Sequence, residues 1–360
     1  MNDLRRSAAT NGRRLLQTIR AGLVDHRLRS LDIIQRAQYV NVYHASRIPH
    51  VAQVFPVPIT LARRMLMAMG SFVCAGMLFK VQYSSLALPR ERGGVGLFHV
   101  PDRVTALFVS SQLKVWRRCP TSLTGLLLRE YAPVSMSAPV MLSDIPPPFY
   151  HFRYFFFEIS YILHSLPLLR ILQTKTVYDT LQMCQTPNPI EHKFPQIIWR
   201  RVWKAVHAGY LDTSVQSTWY ITVNGKQVNQ SRLHRIRLAD TPLCVHCGVE
   251  DTDAHRFSCG PSADVWRLAQ RILAFLTRQP PAQIIFLTLL FPDVIHYPTT
   301  KTNAVNWIRG HTVRYIFGPD EKSELGYWTY LNDRHCALVR NPRYKQFFSN
   351  FLRSAFHDPP

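Results

Sequence analysis

The chain has 360 residues, with 43 lysines and arginines against 22 aspartates and glutamates, for a formal charge of +21. That length accommodates two or three domains with apolar cores of their own, so no disulfide framework is needed; seven cysteines, odd in number and unevenly spread, point to a reducing compartment, nucleus and/or cytoplasm. A chain this basic repels itself until a polyanion neutralises it, which makes nucleic acid, RNA and/or DNA, the expected partner.

Residues 1–30 form a basic N-terminal segment, seven arginines against two aspartates, with no apolar run long enough for a secretory leader. From 30 to 57 the pattern is helical, with Leu31, Ile34, Gln38 and Val42 as the stripe and Pro49, Pro56 and Pro58 closing it. A second helix is expected from 59 to about 73. Residues 79–83 alternate like a strand, and Gly93-Gly94-x-Gly96 reads as a tight turn needing positive φ. As a phosphate loop it lacks a third glycine, the following lysine and a preceding strand. Between Asp32 and Glu91 there is no acidic residue, while Arg36, Arg47, Arg63, Arg64, Lys80 and Arg90 fall there. The basic excess therefore forms a face and not a tail.

Residues 105–130 look helical, and 135–148, rich in proline and serine, read as a linker. The apolar stretch 149–172 is interrupted by Arg153, Glu158, His164, Pro167 and Arg170, so it is expected to be a buried helix and no membrane association is expected. After a second boundary at 185–195, Trp199, Val202, Trp203 and Val206 make one apolar stripe ending at Gly209. Asp212 can cap the next helix, with Val215, Trp219 and Ile221 inward until Asn224-Gly225; Asn229 or Ser231 can cap a third. Beyond Gly260-Pro261, the residues Val265, Trp266, Ala269, Ile272, Leu273 and Leu276 repeat at helical spacing, as do Ala304, Trp307, Ile308, His311 and Tyr315. A last helix is expected from Asn341-Pro342, with Tyr344, Phe347, Phe348, Phe351 and Leu352 on one face. These aromatic stripes read as core. The fold class is mainly α, with short β-hairpin elements and a small helical zinc knuckle.

That knuckle is Cys244-Val-His-Cys247, then His255 and Cys259, four soft ligands within sixteen residues. The two-residue gap lets one turn aim both thiolates at an ion, and His255 and Cys259, four apart, lie on one face of a short helix. A closed CCHC shell leaves no position for a reactive water, so the expected Zn2+ is structural. Around it, Lys226, Arg232, His234, Arg235, Arg237 and Arg256 are candidate nucleic-acid contacts, with a solvated helix face as the alternative for each.

Several strings resemble one family. They are Trp219-Tyr-Ile-Thr-Val-Asn-Gly225, Arg232-Leu-His-Arg235, Leu238-Ala-Asp-Thr-Pro-Leu-Cys244-x-x-Cys247-Gly, Asp251-Thr-x-x-His255-Arg-Phe, Cys259-Gly and Trp266. Together they resemble the zinc-binding domain near the carboxyl end of non-LTR (LINE-type, jockey-like) retrotransposon reverse transcriptases. Upstream, Gln35-Arg-Ala-Gln38, Asn41-x-Tyr43, Gln53-Val-Phe-Pro56-x-Pro58 and Leu88-Pro-x-x-x-Gly-Gly-x-Gly-Leu97 are similar to the thumb and post-polymerase region; Lys301-Thr-Asn-Ala-Val-Asn-Trp307 and Pro342-Arg-Tyr344 are similar to the family's carboxyl end. The resemblance implies a basic segment at 1–30, a thumb-like helical region at 31–134, a linker and apolar connection at 135–195, the zinc-binding domain at 196–276 and a helical tail at 277–360.

Two features differ from the family pattern. His255 and Cys259 are separated by three residues instead of four, and the paired aspartates of the polymerase site are absent, since the chain has no Asp-Asp pair. Magnesium-dependent nucleotidyl transfer needs adjacent carboxylates, so the chain by itself is expected not to be an enzyme. The resemblance implies a partner in an upstream palm and fingers. A free-standing zinc module that recruits proteins and a decayed retroelement fragment are the other readings.

Overall fold

A computed structural model describes residues 2–25, 30–55, 57–75, 77–78, 80–118, 173–260, 262–281, 284–291, 299–319 and 321–345. The architecture is mainly α. The expected linker at 135–148, the apolar block 149–172 and the aromatic face of the last helix beyond Lys345 lie outside these residues.

The basic N-terminal segment is a helix, α1 (Asn2–Asp25), because Leu15, Leu16, Ile19 and Leu23 recur at helical spacing and are buried, leaving Arg6, Arg13, Arg14 and Arg20 outside. Asp32 starts α2 (Ile33–Tyr43) with a capping box: its carboxylate accepts from the amides of Ile34 and Gln35, and Gln35 Oε1 accepts from the Asp32 amide. The buried face of α2 is Ile33, Ile34, Ala37 and Val40; Val42, expected inside, is 63% exposed. The inner side is set by the helices at Ile59–Val73 and Thr213–Val223, which both pack on α2, and not by the local pattern alone. Short α3 (Ile48–Ala52) follows, then α4 (Ile59–Val73), which coincides with its expected span and packs on both α1 and α2.

Residues 80–82 form no strand, and among the described residues the only β pairing is an isolated antiparallel bridge between Leu243 and Glu250. The alternation at 79–83 serves instead to bury Val81 and start the short helix α5 (Tyr83–Leu86). The glycine turn then leads into α6 (Val100–Arg118). Gly93 and Gly96 have φ of 78° and 74°, and a Cβ on Gly94 would stand 1.8 Å from the Leu88 carbonyl oxygen, so the turn reading holds.

The second half comprises α7 (Thr174–Met183), α8 (Pro189–Lys193), α9 (Trp199–Val206), α10 (Thr213–Val223), α11 (Gln230–Arg235), α12 (His255–Ser258), α13 (Ser262–Thr277), α14 (Phe286–Leu290), α15 (Thr299–Phe317) and α16 (Glu324–Arg340). Asp212 caps α10, and Asn229, not Ser231, caps α11 through its side chain. The expected stripes of α9, α13 and α15 are buried; in α10, Val215 and Trp219 are fully buried and Ile221 partly. Helix α16, which sequence pattern did not mark, is capped by Ser323 and buries only Tyr327, Leu331 and Leu338, a stripe too sparse to stand out.

One apolar core runs from Leu15 to Leu338, so the helices before and after residue 119 share it. The join is polar as well. Ser217 on α10 donates to the Asp32 carboxylate at 2.9 Å. The Gly93 carbonyl accepts from Asn188 Nδ2 at 2.9 Å and from the Tyr220 hydroxyl at 3.1 Å, and a Cβ on Gly93 would meet the Trp203 ring at 2.6 Å. Arg92 donates to the carbonyls of Gln182 and Gln185. No helix among the described residues is long and apolar enough to cross a membrane.

Candidate metal centre

Between α11 and α13 the chain makes a turn, then a short helix, with little apolar burial of its own. The Leu243–Glu250 bridge and the bond from the Cys244 amide to the Val249 carbonyl, 2.7 Å, close a loop with Cys244 and Cys247 inside it. The Gly248 amide returns to the Cys244 carbonyl at 2.9 Å, with Gly248 at φ 71°, a left-handed step that glycine takes without side-chain strain. Across from this turn, Thr252 Oγ1 accepts from the His255 amide and fixes the start of α12; Cys259 follows its last residue. Phe257, on the opposite side of α12, is buried against Trp266, Phe286 and Phe317 and anchors the knuckle to the core.

The donor atoms of Cys244, Cys247, His255 and Cys259 all lie within 4.8 Å of one another, so this cluster can hold a metal ion. One of its edges matches a tetrahedral shell. With Zn–S bonds of about 2.3 Å, two sulfurs on one zinc stand about 3.8 Å apart. The Cys244 and Cys259 sulfurs are 3.8 Å apart, and Cys247 Sγ is 3.2 Å from His255 Nε2. The His246 ring lies against Gly260 and is not one of the four clustered donors, while its amide donates to Cys244 Sγ at 3.4 Å.

The closeness of the donors perturbs two of the thiols. Desolvation raises the Cys244 thiol, but bonds from the His246 amide, from His255 and from the Cys247 amide outweigh it and bring it to about 6. Cys259 is pushed up to about 12, first by its contact with Cys247, then by desolvation and by Cys244. A divalent cation placed among these donors would favour the thiolate forms over the thiols.

The six cationic candidates divide into two groups. Arg232 is tied down: its guanidinium grips both oxygens of Asp253, at 2.6 and 2.8 Å, and donates to the Gln227 carbonyl. Arg256 reaches Asp251 at 3.4 Å. Asp251 and Asp253 are themselves buried, and accept from the Gln230 amide and from Asn229 Nδ2. This acidic clasp was not expected from the sequence; Asp251-Thr-Asp253 was its only signal. The other group faces water. His234, Arg235 and Arg237 are exposed, with His234 Nδ1 3.1 Å from the Ala239 carbonyl. Lys226 is half-buried, its ammonium held below the usual lysine range by desolvation first, then by Lys193 and Arg232.

Arg237 is also held in an unusual backbone state. The Leu238 amide bonds to the Leu233 carbonyl and the Arg237 amide to the His234 carbonyl, both 2.9 Å, which is a Schellman cap on α11. Its left-handed position, φ 60°, normally belongs to glycine. No protein-family model matches this chain, and no curated protein matches it.

Proposed function

We propose that this chain binds nucleic acid, template RNA or target DNA, through a basic surface stapled by zinc, as the non-catalytic carboxyl-terminal part of a LINE-type reverse transcriptase. The single observation that carries the reading is the cluster of four donors within 4.8 Å of one another, which follows a helix and turn bearing the exposed His234, Arg235 and Arg237. In that reading zinc holds the knuckle, the acidic clasp holds Arg232 and Arg256 in place, and the exposed cations meet phosphates.

The distribution of charge supports it. From Leu4 to Arg90 the only acids are Asp25 and Asp32, and Arg6, Arg13, Arg14, Arg20, Arg47, Arg63 and Arg64 stand exposed on the helices of that half. The chain would grip nucleic acid while a palm and fingers encoded upstream polymerise it. The test is retention of labelled RNA and DNA by zinc-loaded protein across a salt series. Affinity should fall steeply and log-linearly with salt, and chelation should weaken it. Absent or salt-independent retention by folded, zinc-loaded protein refutes the reading.

A further inference from the structure

The turn that leaves α11 carries Arg235, Ile236, Arg237 and Leu238 in succession, all exposed, so cation alternates with aliphatic on an accessible surface. The knuckle continues the pattern. Leu238 is 62% exposed, Val245 80% and Val249 57%, with Ile236 and Leu243 above 40%. Cys244 turns its sulfur towards the metal cluster, so its neighbours Leu243 and Val245 line the outside of the same turn, and Val249 lies beside them across the Leu243–Glu250 bridge. Scattered exposed aliphatics are ordinary, but here five fall within fourteen residues, beside the exposed Arg235 and Arg237.

We propose that this aliphatic rim is a wedge for unpaired or weakly stacked nucleobases, so that the chain prefers single-stranded or bulged nucleic acid to a perfect duplex. The inference rests on the nucleic-acid reading above and specifies its substrate class. The alternating arginines choose the occupant: they suit an anionic polymer whose charges and apolar faces also alternate, as phosphates and bases do. Aliphatic side chains held rigidly beside phosphate-binding cations take the place of a neighbour in a base stack. That exchange is least costly where the bases are already unpaired. Phe257 is turned into the core, and the exposed rings beside the rim are the imidazoles of His234 and His246, so its apolar area is mainly aliphatic and suits separating bases more than stacking along them.

The test uses the zinc-loaded 360-residue chain and three labelled probes: a single strand of about thirty nucleotides, its matched duplex, and that duplex with a bulge of about three nucleotides. Anisotropy at one salt concentration should show the single strand and the bulge bound about tenfold more tightly than the duplex, the scale of one aliphatic side chain partly withdrawn from water. Leu238→Ser and Val245→Thr should each shrink that preference severalfold while leaving duplex affinity, its salt slope and zinc content unchanged. Val245→Thr keeps the branched shape beside the metal turn, and Leu238→Ser lies outside it, so at least one reports on a folded knuckle. A wild-type protein with no preference, or variants that weaken all three probes equally, overturns the wedge. Unchanged preference in both variants also overturns it and leaves the rim to a protein partner. Absence of salt-dependent binding to every probe would instead refute the broader nucleic-acid reading.

Discussion

Replacing Arg237 with glycine should make the protein more stable and a poorer binder at the same time. The left-handed φ of 60° crowds the Cβ of any residue but glycine, at about 1 kcal/mol, and the Schellman bonds from the Arg237 and Leu238 amides are backbone bonds that survive the change. Part of the relief is offset because glycine gives the unfolded chain more freedom, leaving a net gain of about 0.5 kcal/mol. For a folded unit of this size that is about 1–2 °C in Tm, measurable by scanning calorimetry on zinc-loaded protein. Losing one phosphate contact should lower the slope of log affinity against log salt by about 0.7–0.9. Across a fourfold salt change, wild type should therefore lose about threefold more affinity than the variant. A lower Tm would show that Arg237 makes a stabilising contact, and an unchanged slope would remove it from the phosphate surface.

Other perturbations probe the rest of the molecule. Cys247→Ser should drop bound zinc from one ion per chain, read by elemental analysis, and loosen residues 240–260 in hydrogen exchange while helices α1 to α6 keep their protection; an unchanged metal count would refute the ligand set. Gly94→Ala should destabilise by about 3 kcal/mol or more in urea unfolding, because the new Cβ meets the Leu88 carbonyl oxygen at 1.8 Å; a midpoint near wild type would show that the turn can yield. His311 is buried, 2.8 Å from the Tyr330 hydroxyl, and desolvation lowers its pKa to about 3 despite Asp212, with Arg334 and Arg314 adding to the effect. The unfolded chain therefore takes up that proton first. Its contribution to stability is complete above about pH 6.5 and declines by about 1.4 kcal/mol per pH unit as pH falls from there towards 3. His311→Asn, which keeps a hydrogen-bonding group near Tyr330, should flatten the fall in urea midpoint between pH 6.5 and 5; parallel curves for the two proteins would refute the assignment.

Sequence pattern located elements wherever local chemistry was unambiguous. Helix α4, the stripes of α9, α13 and α15, and the cap at Asp212 follow from spacing and from side chains that bond their own helix starts, while for α11 the sequence offered Asn229 and Ser231 alike. The four metal donors were legible because short loop geometry alone brings them together. What escaped was decided at a distance. Helix α1 hid its apolar face among arginines, and α2 was assigned the wrong stripe because its inner side is set by α4 and α10. The division of the cations into gripped and free depended on Asp251 and Asp253 lying across from α11, which no run of neighbouring residues encodes. The left-handed state of Arg237 was equally hidden, since sequence would have placed a glycine there.

The carbonyl of Gly93 has one further consequence. It is answered from two places beyond residue 185, by an amide side chain and a phenol, while Trp203 lies flat beneath the same turn. A fragment begun at 196 would carry the whole knuckle yet leave that indole and the Tyr220 ring without their cover, and it would be expected to precipitate. Dissecting this chain at its apparent boundaries therefore cuts through the seam that covers those rings, and a piece that keeps them covered extends back at least to the turn at Leu88.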